Sequence, residues 1–355
     1  MQSRNNYTRR QFLGDIPAGI VGLTLCRPSF ASALGETNYP NRLDVRLWAQ
    51  TVSEQHGIDV AWILTVLAKA RHVKTSKRIM ERTASEKNWT SYRARTITEE
   101  RIRKGVRFMR KNAQWLNEAQ SRWGVPAEII TAVIGIETIY GKSAGRYRVL
   151  DVLATLSFDH ERRAEYFQSE LAAFLVLCSK TNINPTTVQG SFAGAIGLPQ
   201  FMPSNILRFG TDFDGNGIAD IRFSAADAIG STANYLKHLG WNSELPTEWP
   251  CRCTQYHAKD LDAGGIVANT TLQNLLDAGV EPLESIHASP STQVLLVDLP
   301  GKTTEGKRST LWFIGTENFS ALLRYNRSYF YAQSVCDLSS AIKTADLADD
   351  PMLFF

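Results

Sequence analysis

Residues 129–139 read IITAVIGIETI, an apolar run interrupted by a single carboxylate, Glu137. Apolar residues on every face are typical of a helix buried on all sides, and an ionisable group is seldom buried without a partner or a function. Desolvation should raise the pKa of Glu137, and so should a position in the last helical turn, ahead of Gly141 as the predicted cap. The sequence therefore predicts a carboxylic acid able to donate a proton near neutral pH.

Glu137 also has a purely structural interpretation, in which a core glutamate is neutralised by a neighbouring guanidinium. The candidates are the arginines that follow it in the chain, Arg146, Arg148, Arg162 and Arg163. The helix pattern alone does not decide between an ion pair and a catalytic acid.

The composition is that of an ordinary globular protein with a sizeable core. Of its 355 residues, 43% are hydrophobic and 21% are charged. No uninterrupted apolar run reaches the ~18 residues that a transmembrane helix requires. The locally basic stretch from Lys69 to Arg110 is explained by a solvated helix face. The sequence therefore predicts neither a membrane span nor a nucleic-acid partner.

The first 33 residues have the pattern of an export signal, which predicts a periplasmic protein. Arginines 4, 9 and 10 precede an apolar run from Ile16 to Leu25, and Ala31-Ser32-Ala33 offers a cleavage site. Thr8 to Leu13 resembles a twin-arginine signal, with a general secretory signal as the alternative. Cleavage would remove four of the 39 basic and one of the 35 acidic residues, so the net charge would fall from +4 to +1. Four cysteines would remain, and these allow three disulfide pairings.

Hydrophobic periodicity predicts a mainly α protein of the α+β class. Two helices are expected within residues 41–70, one long amphipathic helix from Thr98 to Trp123, and a helix from Ser224 to Leu239. Residues 150–156 and 162–177 are further predicted helices. Late in the chain, Gln293–Leu299 and Ser309–Ile314 alternate as strands around a turn. A small β element should therefore follow a helical body.

A second motif, GSFAGAIGLPQFMPS at residues 190–204, combines three glycines with polar Ser191 and Gln200. Glycines allow backbone to approach a ligand closely, although they more often only form turns. Polar groups set among apolar ones suit a sugar, which presents hydroxyls, amides and flat apolar ring faces together.

These segments resemble the B-type lytic murein transglycosylases, bacterial enzymes with a lysozyme-like catalytic core. The resemblance rests on GIETIYG (135–141), RRAEYF (162–167) and GSFAGAIGLPQFMPS, and it extends from about Leu43 to Asp337. It implies a helical N-terminal part at 34–125, a lysozyme-like core at 126–250, and a C-terminal part at 251–355 that returns to the cleft at 325–331. It also implies that peptidoglycan glycan strands are the partner.

The resemblance also implies roles for individual residues. Glu137 stands at the position of the single catalytic acid/base. Ten further residues match positions that line the saccharide cleft or support it: Tyr92, Arg162, Arg163, Tyr166, Ser191, Gln200, Tyr235, Tyr325, Asn326 and Tyr331. Tyrosines suit such a cleft because they offer a ring face and a hydroxyl together.

The resemblance further implies non-hydrolytic cleavage between N-acetylmuramic acid and N-acetylglucosamine, with a 1,6-anhydro ring formed on the muramic acid. One alternative is a hydrolytic muramidase, which would need a second carboxylate. Asp151, Asp159 and Glu165 are the nearby candidates. The other alternative is a non-catalytic peptidoglycan-binding protein, which would not need Glu137.

A third motif, DFDGNGIAD at residues 212–220, resembles the start of an EF-hand loop. Phe223 occupies position twelve, where an EF-hand has its bidentate glutamate, and the family's variant loop uses a later aspartate instead. The expected ligands of a structural Ca²⁺ are Asp212, Asp214, Asn216, Ile218, Asp220 and Asp227. In the competing interpretation Asp227 only completes a capping box with Ser224, and the loop is a plain turn.

Overall fold

The structure, a computed structural model, describes residues 38–74, 88–160, 163–253, 261 and 264–348. The predicted export signal at 1–33 and the predicted site residue Arg162 lie outside these ranges. The boundaries predicted at residues 125 and 250 stay predictions.

The described part of the chain is mainly helical, as predicted. Its helices are α1 (Leu43–His56), α2 (Val60–Leu67), α3 (Trp89–Thr96), α4 (Glu99–Lys111), α5 (Ala113–Trp123), α6 (Ala127–Thr138), α7 (Val149–Phe158), α8 (Ala164–Thr181), α9 (Pro203–Phe209), α10 (Ala225–His238), α11 (Leu272–Asp277), α12 (Glu317–Tyr325) and α13 (Tyr329–Leu347).

Helix α6, which carries Glu137, lies at the centre of the larger hydrophobic core. It packs against α4, α5, α10 and α13, and its residues from Ile129 to Gly135 are all buried. A second core joins α1 and α2 to α7, α8 and α9. Because two cores meet near the end of α6, side chains from distant parts of the chain converge on Glu137.

The two predicted strands are confirmed as the longest strands of a small antiparallel sheet. They are β6 (Gln293–Lys302) and β7 (Arg308–Gly315), which pair from Leu295 opposite Gly315 to Lys302 opposite Arg308. The strand order is β4 (Thr270–Thr271), β6, β7, β3 (Glu248–Arg252) and β5 (Glu281–Pro282). Strand β3 was not predicted, because it is short and contains Pro250, which counts against a strand in the sequence. A separate two-stranded ladder pairs β1 (Tyr147–Arg148) with β2 (Gln189–Gly190).

The prediction of one continuous helix from Thr98 to Trp123 is wrong. The chain breaks at Asn112, whose backbone leaves the helical region (φ −112°, ψ 23°). Its side-chain amide donates to the carbonyl of Phe108 at 2.8 Å, so a local side-chain bond replaces helix continuation. The break separates α4 from α5 and lets both pack against α6.

None of the helices described is both long enough and apolar enough to cross a bilayer. Cys178, Cys251, Cys253 and Cys336 are all free thiols.

Candidate active site

Helix α6 ends at Thr138, directly after Glu137, and its ending differs from the prediction. The cap is Ile139 in the left-handed region (φ 51°), followed by Tyr140 (φ 57°), so the backbone changes direction two residues before Gly141, the predicted cap. A β-branched residue with positive φ is uncommon and costs conformational energy. Tertiary contacts must therefore hold this turn in place.

The ring of Tyr140 supplies one such contact. Its buried hydroxyl reaches Gly105 of α4 and Gly135 of α6, and a Cβ atom at either glycine would collide with it. The two glycines thus open a slot for the ring between the helices. Thr138 supplies a second contact, because its hydroxyl donates to the carbonyl of Leu198 at 2.9 Å. This bond ties the end of α6 to the second motif.

Glu137 is partly buried and accepts a hydrogen bond from the hydroxyl of Tyr331 at 2.7 Å. Burial raises the pKa of Glu137 from 4.5 to about 7, and the Tyr331 hydrogen bond opposes part of that rise. Desolvation dominates because an apolar surrounding disfavours the charged form. Burial therefore favours the protonated form of this carboxyl group up to near neutral pH.

The ion pair of the structural interpretation is not formed by the three candidate arginines that the structure describes. Arg148 lies 3.5 Å from Asp151, and the guanidinium of Arg163 stacks over the ring of Tyr166 at 4.3 Å. Arg146 is exposed. The buried run of α6 thus leaves Glu137 with a hydroxyl partner in place of a cation.

Tyrosines from three helices form a wall beside Glu137. The rings of Tyr331 and Tyr325 are stacked at 6.1 Å, and Tyr325 lies 5.3 Å from Tyr235 on its other side. The Tyr325 hydroxyl donates to the carbonyl of Pro199 at 2.5 Å. Burial raises the pKa of Tyr92, and the charge of Glu137 raises it further.

Ser191 and Gln200 lie on a rigid loop. The Ser191 hydroxyl oxygen accepts the backbone N–H groups of Ala193 and Ala195 at 3.2 and 3.0 Å. Gln200 is left-handed (φ 53°), and its amide donates to the carbonyls of Ala144 and Gly197. Both residues line an open cavity of about 450 Å³. The structure therefore brings the second motif to one concave surface with residues 142–147, which directly follow the first motif.

Tyr166 and Tyr235 lie beside a polar network that the sequence did not predict. Its centre is Glu170, a buried residue of α8, which accepts from the backbone N–H and the hydroxyl of Ser204 at 3.0 and 2.8 Å. Burial raises the pKa of Glu170, and hydrogen bonds from Ser204 and Tyr166 oppose the rise. Asn205 donates to the Tyr235 hydroxyl at 3.2 Å. The sequence signal that could have found this network is Glu170 itself, a glutamate at the start of the apolar stretch of α8.

Asn326 and Arg163 stand at the edge of this group. Asn326 ends α12 and is exposed. Arg163 precedes α8 in a left-handed conformation (φ 64°) and is also exposed.

The structure brings three of the six predicted metal ligands together. Carboxylate oxygens of Asp212, Asp214 and Asp227 lie within 4.8 Å of one another. Asp220 instead forms a two-point ion pair with Arg222, at 2.9 Å for each contact. The two remaining positions, Asn216 and Ile218, are exposed residues of the same loop, where the Asn216 side chain accepts the N–H of Ile218.

Asp227 does more than a capping box requires. The Ser224 hydroxyl accepts the N–H of Asp227, as that motif predicts. The carboxylate of Asp227, however, turns toward the loop and accepts the N–H groups of Phe213, Asp214 and Asp220 at 2.8–3.3 Å. It therefore shapes the loop around the other two aspartates.

Comparison with known proteins places this arrangement in a family. The transglycosylase SLT domain family matches residues 44–340. Membrane-bound lytic murein transglycosylase B of Escherichia coli (strain K12) is 32% identical over 318 residues, which cover 87% of this chain and 85% of that protein.

Solved structures give the same result. The lytic transglycosylase SltB1 from Pseudomonas aeruginosa matches with a TM-score of 0.81 and 33% identity, over 87% of this chain and 99% of its own. The Escherichia coli lytic transglycosylase Slt35, in complex with calcium, matches with a TM-score of 0.75 and 32% identity, over 88% and 94%. The predicted mainly α architecture with a lysozyme-like core is confirmed. The chain belongs to the transglycosylase SLT domain family, among the B-type lytic murein transglycosylases.

Proposed function

We propose that this enzyme cleaves peptidoglycan glycan strands between N-acetylmuramic acid and N-acetylglucosamine without adding water, and that Glu137 is its single acid/base. The observation that carries the proposal is a carboxyl group with a pKa of about 7 at the end of a buried helix, hydrogen-bonded to Tyr331. A catalytic acid works best when its pKa lies near the operating pH.

The mechanism uses both protonation states of Glu137. The protonated carboxyl gives its proton to the glycosidic oxygen as positive charge develops at the anomeric carbon of the muramic acid. The carboxylate then takes the proton from the 6-hydroxyl of the same sugar, whose oxygen bonds to the anomeric carbon. The products are a 1,6-anhydro end and a free 4-hydroxyl, and Glu137 is protonated again.

The surrounding residues suit the binding of a sugar chain. We assign Ser191, Gln200 and Asn326 to hydrogen bonds with hydroxyl and amide groups, and the tyrosines at 92, 166, 235, 325 and 331 to ring contacts or support. Arg163, and Arg162 outside the described residues, complete the assignment. Tyr331 also holds the Glu137 carboxyl in place by its 2.7 Å hydrogen bond.

The hydrolytic alternative has less support, because the candidate second carboxylates have other partners. Asp159 accepts hydrogen bonds from Tyr39 and Arg42, with His72 at 2.9 Å. Asp151 accepts the backbone N–H of Arg71 at 3.0 Å. Glu165 is exposed to solvent, so it lacks the burial that Glu137 has.

The masses of the products test the proposal. Purified enzyme acting on isolated sacculi should yield fragments with anhydromuramic acid ends, each lighter by one water than a hydrolysis product. Digestion in ¹⁸O-labelled water adds a second test by mass spectrometry, because a transglycosylase incorporates no oxygen from water into its products. Labelled reducing ends as the main product would establish a muramidase, and an absence of any fragments would favour a non-catalytic binder.

Localisation follows from the substrate. We propose that the protein is exported to the periplasm by the signal at residues 1–33, through the twin-arginine route. The adjacent Arg9 and Arg10 support this route, and relatives named as murein transglycosylases support the compartment.

We further propose that Asp212, Asp214 and Asp227 hold a structural Ca²⁺, with Asn216, Ile218 and Asp220 as the other predicted ligands. Three carboxylates and a loop of carbonyl groups offer the hard oxygen donors that Ca²⁺ prefers. The calcium complex of Slt35 supports the proposal. The Asp220–Arg222 ion pair would have to open for Asp220 to contribute.

Removal of the metal should lower the melting temperature. At a free Ca²⁺ concentration of ~100 times the Kd, binding adds about 2.7 kcal/mol to the free energy of unfolding. For a chain of this size that corresponds to roughly 4 °C. Differential scanning calorimetry after chelation and dialysis measures the shift. An Asp212→Asn variant should lose the response to added Ca²⁺, and an unchanged wild-type melt would contradict the site.

A further inference from the structure

The 450 Å³ cavity beside Ser191 and Gln200 is unusual in its charge. Among the residues that the structure describes, two cations line it, Lys142 and Arg146, and no carboxylate does. The hydroxyls, amides and ring faces of neutral sugars do not require a cation. The cavity is therefore electrostatically suited to an anionic group on the substrate.

The two cations differ in their availability. The Lys142 amine lies 2.7 Å from Glu100, and that pair is shared with Lys104 at 2.9 Å. Arg146 is exposed and forms no hydrogen bond or ion pair with the residues that the structure describes. Its guanidinium can therefore bind a carboxylate through two parallel N–H donors without first giving up a partner.

The backbone on either side of Arg146 is fixed. Gly145 is left-handed (φ 98°), and a Cβ there would collide with the carbonyl of Gly190. On the other side, Tyr147 pairs with the same Gly190 in the β1–β2 ladder. Gly190 directly precedes Ser191, so Arg146 is anchored beside a predicted sugar-contacting residue. Because this backbone is already fixed, less conformational entropy is lost on binding than for a cation on a flexible surface loop.

We propose that Arg146 is a specificity-determining residue that binds a carboxylate carried by the lactyl side of N-acetylmuramic acid. The pyranose rings of both sugars are neutral, so the anion must come from this side. Its source is either a carboxylate of the attached peptide stem or, on a strand without stems, the free lactyl carboxylate. The assignment rests on the proposed cleavage of peptidoglycan strands at this site.

Steady-state kinetics on three matched substrates test the assignment. The first is strands with intact stems; the second is the same strands with the stem carboxylates converted to amides; the third is strands stripped of stems, which carry the lactyl carboxylate. Arg146→Gln should lose about tenfold in kcat/KM on one of the anionic substrates, mainly through KM, because the contact is made before and during the reaction. On the amidated strands it should match wild type.

The substrate that shows the loss identifies the anion. A loss confined to intact stems assigns the stem carboxylate, and a loss confined to stripped strands assigns the lactyl carboxylate. Arg146→Lys should recover part of the activity because it keeps the charge. Arg122→Gln, at an exposed arginine stacked on Trp123, is the matched control.

Two results would overturn the assignment: no loss on either anionic substrate, or an equal loss on the amidated strands. Neither would affect the proposed function, which is scored separately by wild-type anhydro ends on intact strands. If those ends are absent, the proposed function fails whatever Arg146 does.

Discussion

Replacing Glu137 by glutamine should reduce the rate of glycan cleavage by about a thousandfold, while the protein stays folded. General acid catalysis contributes roughly 10²–10⁴ in rate, and here one group serves as both acid and base. Glutamine keeps the size and can still accept the Tyr331 hydrogen bond, but it has no proton to give. Release of anhydromuropeptides from sacculi, followed by chromatography, measures the loss.

The stability of the Glu137→Gln variant provides the control. Burial raises the pKa of Glu137 from 4.5 to about 7, so the folded state keeps a proton that the unfolded chain releases as pH rises between these values. Wild type should therefore lose about 2 kcal/mol of stability across that range, somewhat less than the full shift because the side chain is partly exposed. The variant lacks this loss and should unfold at a higher temperature at pH 8. Full lytic activity in a stable variant would disprove the role of Glu137.

Glu137 could be identified from a short stretch of sequence, because the pattern that marks it lies within one helix. A single carboxylate within a run that is apolar on all faces needs no partner to be recognised, and helix α6 formed where that run predicts it. The hydrogen-bond partner was beyond such reasoning, since Tyr331 lies 194 positions further along the chain. Resemblance to the family indicated Tyr331 as a cleft residue, and the three-dimensional packing adds its contact with Glu137.

The two incorrect helix boundaries have different causes. Gly141 was the expected cap because glycine favours left-handed backbone, but the helix ends earlier since Tyr140 fits a slot opened by Gly105 and Gly135. The Asn112 break has a local cause, because the side-chain amide donates to the carbonyl of Phe108, and hydrophobic periodicity does not register such a bond. Hydrophobic periodicity describes each helix or strand separately, so it does not predict contacts between elements.

A plot of wild-type kcat/KM against pH should have a single descending limb, on the alkaline side. If Glu137 must be protonated in the free enzyme, kcat/KM follows its protonated fraction, which is nearly constant well below pH 7 and falls about tenfold for each pH unit above it. The base step imposes no limb of its own, because the same carboxyl becomes the base only after it has given up its proton. From pH 6 to pH 9 the loss should approach a hundredfold.

A muramidase with a second carboxylate would give a different profile. That group would have to be ionised, so kcat/KM would rise with pH through its pKa, near 4 for an unperturbed aspartate, and the profile would be bell-shaped. Initial rates on defined glycan strands at constant ionic strength distinguish the two shapes, and a melting curve at each pH excludes unfolding as the cause. A descending limb near pH 4–5 in place of 7 would mean that the carboxyl is not desolvated when the substrate binds, and the proposed acid would then be ionised when it is needed.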